Sequence, residues 1–133
     1  MEKERISEMS NNKWGIAHEE AKVLKRLEDL TGKKIAIVDK IRLHTIGVKV
    51  EDKKVIALGL SKCGLTTLPD SFGHLKSLEV LWLAENQLTL PNSFFQLKLL
   101  QILVLNFNKL KTLPDSFSQL KSLEWLSLSS NKL

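Results

Sequence analysis

The chain has 133 residues, of which 43% are hydrophobic and 26% charged, with a net charge of +5. That length holds one ordinary domain and is short for two, and the composition excludes an unfolded polyelectrolyte. The charge is also too small and too evenly spread for a nucleic-acid footprint: residues 1–54 carry 13 Lys and Arg against 10 Asp and Glu, and residues 55–133 carry 7 against 5.

The first residues, MEKERISEMSNNK, are charged and polar and lack the apolar stretch of a secretory leader. No run approaches the roughly 20 apolar residues needed to span a bilayer. One cysteine, Cys63, allows no intrachain disulfide, which favours a reducing, cytoplasmic setting. Residues 17–30, AHEEAKVLKRLEDL, place Ala17, Ala21, Leu24, Leu27 and Leu30 near one face of an amphipathic helix. Thr31-Gly32 ends it with a C-terminal glycine. KKIAIV and LHTIGVKV follow. In the second, Ile46, Val48 and Val50 alternate with Thr45, Gly47 and Lys49, the pattern of a half-buried strand. The polar EDKK at 51–54 then turns into VIALGL, so residues 43–60 read as a hairpin.

From Val55 the chain repeats itself: VIALGLSKCGLTTLPDSFGHLKS, LEVLWLAENQLTLPNSFFQLKL, LQILVLNFNKLKTLPDSFSQLKS and LEWLSLSSNKL. Leu58, Leu81, Leu103 and Leu126 mark one repeat position, and the second unit is one residue short between Leu88 and Leu90. Each unit offers a short LxL strand whose leucines point one way. The ninth position reads Cys63, Asn86, Asn108 and Asn131. An amide there supplies donors and an acceptor to backbone that turns away from the strand and would otherwise be buried unpaired. A proline and an inward phenylalanine (Phe72, Phe94, Phe117) return the chain, with Leu75, Leu97 and Leu120 on the same wall. No single unit can bury its own leucines, so the units must stack.

This pattern, LxxLxLxxN/CxL followed by xxLPxxFxxLxx, resembles the leucine-rich repeat over residues 55–133, and the helix-plus-hairpin start resembles that of intracellular proteins of this kind. The resemblance implies an α/β fold: a right-handed solenoid with a parallel concave sheet, preceded by an α+β cap. Residues 1–54 then form the cap, which covers the exposed leucines and open strand edge of the first unit; the alternative is that they form an effector module. Residues 55–133 form three complete repeats and a truncated fourth.

Positions three, five and seven of each unit point away from the core onto the concave face. Val80, Trp82, Ile102, Val104 and Trp125 should therefore lie together on three adjacent strands, flanked by Phe107 and bordered by Glu79, Glu85 and Glu124, with Lys62 toward the first unit. A tryptophan offers about 150–250 Å², so the group approaches the few hundred Å² at which apolar patches mark interaction sites. An apolar centre with two tryptophans and a charged rim has the anatomy of a protein-binding surface. The bland alternatives are that branched and aromatic residues merely favour strands, or that the N-terminal tail, with Trp14 and Ile16, covers this face.

No catalytic constellation is visible. His18, His44 and His74 are scattered, Cys63 occupies a structural slot, and the six glycines form no phosphate loop. No metal or cofactor site is expected. Lys76, Lys98 and Lys121 recur on the convex side, where a solvated face explains them. Leu126, Leu128 and Leu133 should face solvent at the end of the stack, which implies either further repeats or a covering molecule, including self-association. The expected function is a protein-recognition scaffold in signalling, without catalysis, nucleic-acid binding or membrane insertion. The repeat type also resembles that found with small GTPases and their regulators, in Roco-type proteins and in bacterial ubiquitin ligases. This implies a small GTPase or another signalling protein as partner. It also implies an alternative, in which the chain is the sensing or recruiting arm of a larger enzyme.

Overall fold

A computed structural model describes residues 12–133 of the chain. The first element, α1 (His18–Thr31), carries Glu19 and Glu20 in its opening turn, where they complement the helix dipole. Gly32, in the left-handed conformation with φ 69°, closes it by donating its N–H to the Glu28 carbonyl. The buried stripe runs through Glu20, Ala21, Val23, Leu24, Leu27 and Glu28. Leu30, expected on that face, lies in the last turn outside the stripe and is exposed, and Val23 is buried instead.

The two buried glutamates tie the helix to the rest of the chain. Glu20 accepts the N–H of Val55 at 2.8 Å, where the repeats begin. Glu28 accepts the N–H of Ile35 at 2.7 Å and pairs with the Lys13 ammonium. Burial raises the Glu20 carboxyl, and the Val55 N–H and Lys54 only partly offset it. Burial pushes Glu28 up as well, but Lys13, the Ile35 N–H and Lys34 together hold it below its ordinary value of 4.5. The signs oppose. Ionised Glu28 stabilises the fold above pH 4.5, and that contribution disappears as pH falls through its depressed folded value. Glu20 favours the fold when protonated, and its contribution is lost as pH rises through its elevated value. Glu28→Gln should therefore lower the melting temperature at neutral pH and flatten its fall on acidification below pH 4.5, as read by thermal melts across that range. An unchanged acid slope would mean that Glu28 is not the group responsible.

Six strands form one sheet in chain order: β1 (Ala36–Ile37), β2 (Ile46–Glu51), β3 (Lys54–Leu60), β4 (Val80–Trp82), β5 (Ile102–Val104) and β6 (Trp125–Ser127). β2 and β3 make the antiparallel hairpin, closed by Asp52 and Lys53, both at positive φ. Two such residues match the right-handed twist of the flanking strands. From β3 onward every pairing is parallel, with Leu58, Leu81, Leu103 and Leu126 in register. β1 adds a short parallel strand on the other side of β2. The sheet therefore runs unbroken from the N-terminal elements through all four repeats.

Short 3₁₀ turns return the chain opposite the sheet, at Asp70–His74, Asn92–Gln96 and Asp115–Gln119. Each follows a proline whose fixed, extended-side geometry suits the residue before a turn. Phe72 and Phe94 are fully buried and stack with centroids 6.0 Å apart. Phe95 bridges Phe94 at 5.5 Å to Phe117 at 5.3 Å, both edge to face. A Cβ on Gly73 would stand 2.4 Å from the Ser93 carbonyl oxygen, so this glycine lets the first two turns approach. Trp14 and Ile16 join the same core cluster as the helix leucines, and the Trp14 indole donates to the Ile35 carbonyl at 2.8 Å. They are packing residues of the cap region. The idea that the tail covers the concave face also involves residues 1–11, which lie outside the described residues.

Candidate functional site

The parallel register sets two rows of outward side chains across the concave face. One row runs Ala57, Val80, Ile102, Trp125, and the other Gly59, Trp82, Val104, Ser127. The five residues expected to lie together thus stand on three adjacent strands, Trp125 beside Ile102, Ile102 beside Val80, and Trp82 beside Val104. Their exposures differ. Trp125 is 64% exposed, and Val80, Trp82 and Ile102 are half-buried. Val104, flanked in register by Trp82 and Ser127, is only 4% exposed and forms floor rather than contact surface.

The ninth-position residues organise the backbone beneath these rows. Asn86 Oδ1 accepts the N–H groups of Cys63 and Leu65, both at 3.0 Å, and its Nδ2 donates to the carbonyls of Leu60 and Leu83. Asn108 bonds Leu88 N–H and the Leu83 and Leu105 carbonyls. Asn131 bonds Leu110 N–H and the Leu105 and Leu128 carbonyls. Every asparagine therefore joins its own unit to the one before. Cys63 has no earlier repeat to reach, because the antiparallel β2 lies on that side. A small thiol, weakly bonded through Sγ to the Ser61 carbonyl at 3.5 Å, suffices there. Burial raises this thiol, against a lowering by Lys33, which is the reverse of an activated nucleophile.

Just before each of these residues the backbone enters the left-handed region, at Lys62, Glu85, Phe107 and Ser130, with φ between 54° and 59°. No glycine signals this periodic feature in the sequence. In that conformation a bulky side chain is strained, yet Phe107 is an aromatic that is also 56% exposed. Phe107 stands at the edge of the concave rows, on the same turn as Asn106, whose Oδ1 accepts from Ser127 Oγ at 2.5 Å. Glu79 and Glu85 are half-buried, and Glu124 is exposed.

Sequence reasoning missed the N-terminal border of this face. A Cβ on Gly59 would meet the Thr45 carbonyl oxygen at 2.4 Å and Ile41 Cγ2 at 2.8 Å, and one on Gly47 would meet Val38 at 2.9 Å. Gly47 and Gly59 are paired, so both look onto the same side of the sheet. The loop between β1 and β2 thus folds over the concave side of the first repeat strand and buries Ala57 and Gly59. This loop brings Lys40 and Arg42, together with Lys49, around Ala57 and Val80, with Asp39 as the counter-charge. The apolar rows are therefore bordered by cations at one end, while Glu79 and Glu124 stand one residue before Val80 and Trp125 and Glu85 lies in the turn after β4. The outward glycines were the available signal, since a glycine on a concave row is where another backbone can approach closely.

Among the described residues, no three His, Cys, Asp or Glu side chains gather where they could hold a metal, and no helix is long and apolar enough to cross a membrane. His74 lies 3.7 Å from Glu19, an exposed pair between the first 3₁₀ turn and α1.

The geometry is similar to solved structures. A leucine-rich repeat protein of Leptospira interrogans matches with a TM-score of 0.56 and 46% identity over 58% of this chain, which spans 20% of that protein. The leucine-rich repeat ectodomain of the receptor kinase SOBIR1 from Arabidopsis thaliana matches with a TM-score of 0.66 and 28% identity, over 87% of this chain and 68% of that one. No curated protein matches in sequence. The family model described as a leucine-rich repeat region covers residues 20–132, and with the stacked parallel strands and their asparagine ties this makes the chain a member of the leucine-rich repeat family.

Proposed function

We propose that the chain is a protein-recognition scaffold that holds its partner on the concave face between Val80 and Trp125. The observation that carries this reading is the exposed Trp125 indole, set by β6 beside Ile102, with the half-buried Trp82 two strands away beside Val104. A large amphipathic ring on a rigid strand gives contact area at little entropic cost, and such rings dominate binding energy when a partner covers them. Val80, Ile102 and Phe107 extend the apolar centre over the Val104 floor. Glu79 and Glu124 at the leading ends of β4 and β6, Glu85 past the end of β4, and Lys40, Arg42 and Lys49 beside Ala57 and Val80 select a partner of matching mixed charge. The proposal places this recognition in the cytoplasm, where an unpaired cysteine is ordinary.

The double substitution Trp82→Ala and Trp125→Ala should weaken capture of a bound partner by about 30-fold or more, the scale of a hot spot. Trp125→Ala alone should leave the melting temperature nearly unchanged, because its ring is mostly in water already. Titration of the isolated partner, once captured, against both variants and a convex-face control such as Lys98→Ala reads this. Undiminished affinity in the double variant would refute the concave site.

The chain spans 20% of the similar Leptospira protein, which favours a second reading: the face recruits a target for a larger polypeptide, including one with a GTPase or ubiquitin-ligase domain. A full-length reading frame with such a domain distinguishes it from a free-standing scaffold that binds, for instance, a small GTPase.

A further inference from the structure

The one-residue deletion in the second repeat has a structural consequence on the flank of the solenoid, between the sheet and the 3₁₀ turns. Between units one and two, the backbone there is laced together. Gln87 N–H donates to the Leu65 carbonyl at 2.8 Å, Thr89 N–H to the Thr66 carbonyl at 3.0 Å, and Thr67 and Thr89 form a bridge. Between units three and four, Lys132 N–H donates to the Leu110 carbonyl at 2.9 Å. Between units two and three the lacing stops. Among the described residues, no backbone hydrogen bond joins residues 109–113 to residues 87–90. The short LTLP of 88–91 cannot stay in step with the longer LKTLP of 110–114, and the two walls part.

An open-sided cleft of about 410 Å³ lies between them. Leu88 and Leu110, both buried, form its floor, and Leu90, Pro114 and Phe117 form its walls. Lys109 and Lys111 stand at its rim, both exposed, and no acidic residue lines it. That size and lining are those of a ligand site, an apolar cleft with a few polar groups. The open side argues against a small molecule, which such sites enclose almost fully. The unlaced backbone on the facing walls argues for an extended peptide, whose own N–H and C=O groups supply the missing partners.

We infer that this flank cleft binds an extended, acidic peptide segment of a partner protein, with a leucine-type side chain on the Leu88–Leu110 floor and carboxylates against Lys109 and Lys111. The cleft is separate from the concave rows. A partner that uses both surfaces would gain avidity from the second contact.

The test uses the full chain, labelled with nitrogen-15 and with carbon-13 methyls, and the blocked peptide acetyl-Glu-Leu-Asp-Leu-Asp-amide. The expected result is saturable shifts confined to the Lys109 and Lys111 amides and the Leu88, Leu90 and Leu110 methyls. Lys109→Glu with Lys111→Glu should weaken binding at least tenfold, and the Trp82→Ala, Trp125→Ala variant should bind unchanged. Inserting a second threonine between Thr89 and Leu90 restores the unit's length. It should close the cleft, abolish the shifts and raise the melting temperature. If the insertion variant misfolds, the charge-reversed pair still decides. Equal binding of acetyl-Lys-Leu-Lys-Leu-Lys-amide, shifts with decanoate but not with the peptide, or shifts on concentrating the protein alone would overturn the inference.

Discussion

Asn86→Ala should cost about 3–5 kcal/mol of stability, the upper end of what single substitutions do. The side chain is buried and bonded on all sides: two N–H groups of the first unit, the Leu60 carbonyl, and the carbonyls of Leu83 and Ala84 in its own unit. Alanine leaves the Cys63 and Leu65 N–H groups without a partner and removes a donor from the Leu60 carbonyl in a site that is 5% exposed, while the Leu83 and Ala84 carbonyls keep Asn108 Nδ2 and the Lys62 N–H. Each buried orphan costs about 1–3 kcal/mol, tempered by whatever water enters the vacated space. A domain of this size has on the order of 5–15 kcal/mol to lose, so the melting temperature should fall by roughly 10–20 °C. Asn131→Ala removes the same kind of ladder at the last unit, but its donors and acceptors are half-exposed and water can replace it. About 1 kcal/mol is expected there. Urea melts of both variants read the difference. Equal losses, or a change under 1 kcal/mol at Asn86, would show that water rather than the amide satisfies these turns.

That contrast also explains what the sequence made legible. The leucine spacing fixes the parallel register, because each strand has one way to bury its leucines and one neighbour in the same phase. The concave rows follow by alternation, so Trp82 and Trp125 could be placed with no coordinates. Alternation says nothing of depth. Val104 and Trp125 both look outward, yet one is floor and the other is open, because Val104 has a neighbour on each side and the edge strand β6 has one. The loop over Gly59 was invisible for a related reason. DKIRLH has no periodicity, and its place over the first strand depends on a close backbone approach that only the two facing glycines hint at. The left-handed turn at position eight is silent as well. Lys62, Glu85, Phe107 and Ser130 share nothing in composition, and the asparagine ladder beside them imposes the conformation. The deletion at Thr89 was plain in the sequence, but its result was not. Loss of lacing on one flank needs both walls to be seen together.

Phe94→Ala should cost about 3–5 kcal/mol, and Phe117→Ala about half that or less, although the two hold the same position in successive repeats. Phe94 is fully buried, stacked on Phe72 at 6.0 Å and met edge-on by Phe95 at 5.5 Å. Its loss opens a void between two turns already in contact, since a Cβ on Gly73 would touch the next turn's backbone. The neighbours cannot collapse into it without moving that backbone. Phe117 is half-buried, meets Phe95 at 5.3 Å and has no later turn beyond it among the described residues. Its removal widens the flank cleft and lets in water, which costs area but no sealed cavity. A stack in which units touch only their neighbours predicts this gradient, because a side chain between two turns loses packing on both sides and one at the edge loses it on one. Chemical denaturation of the two variants measures it. Equal costs would mean that the third turn is packed as tightly as the second, and hence that something covers Leu126, 37% exposed here, and the face beside it in solution.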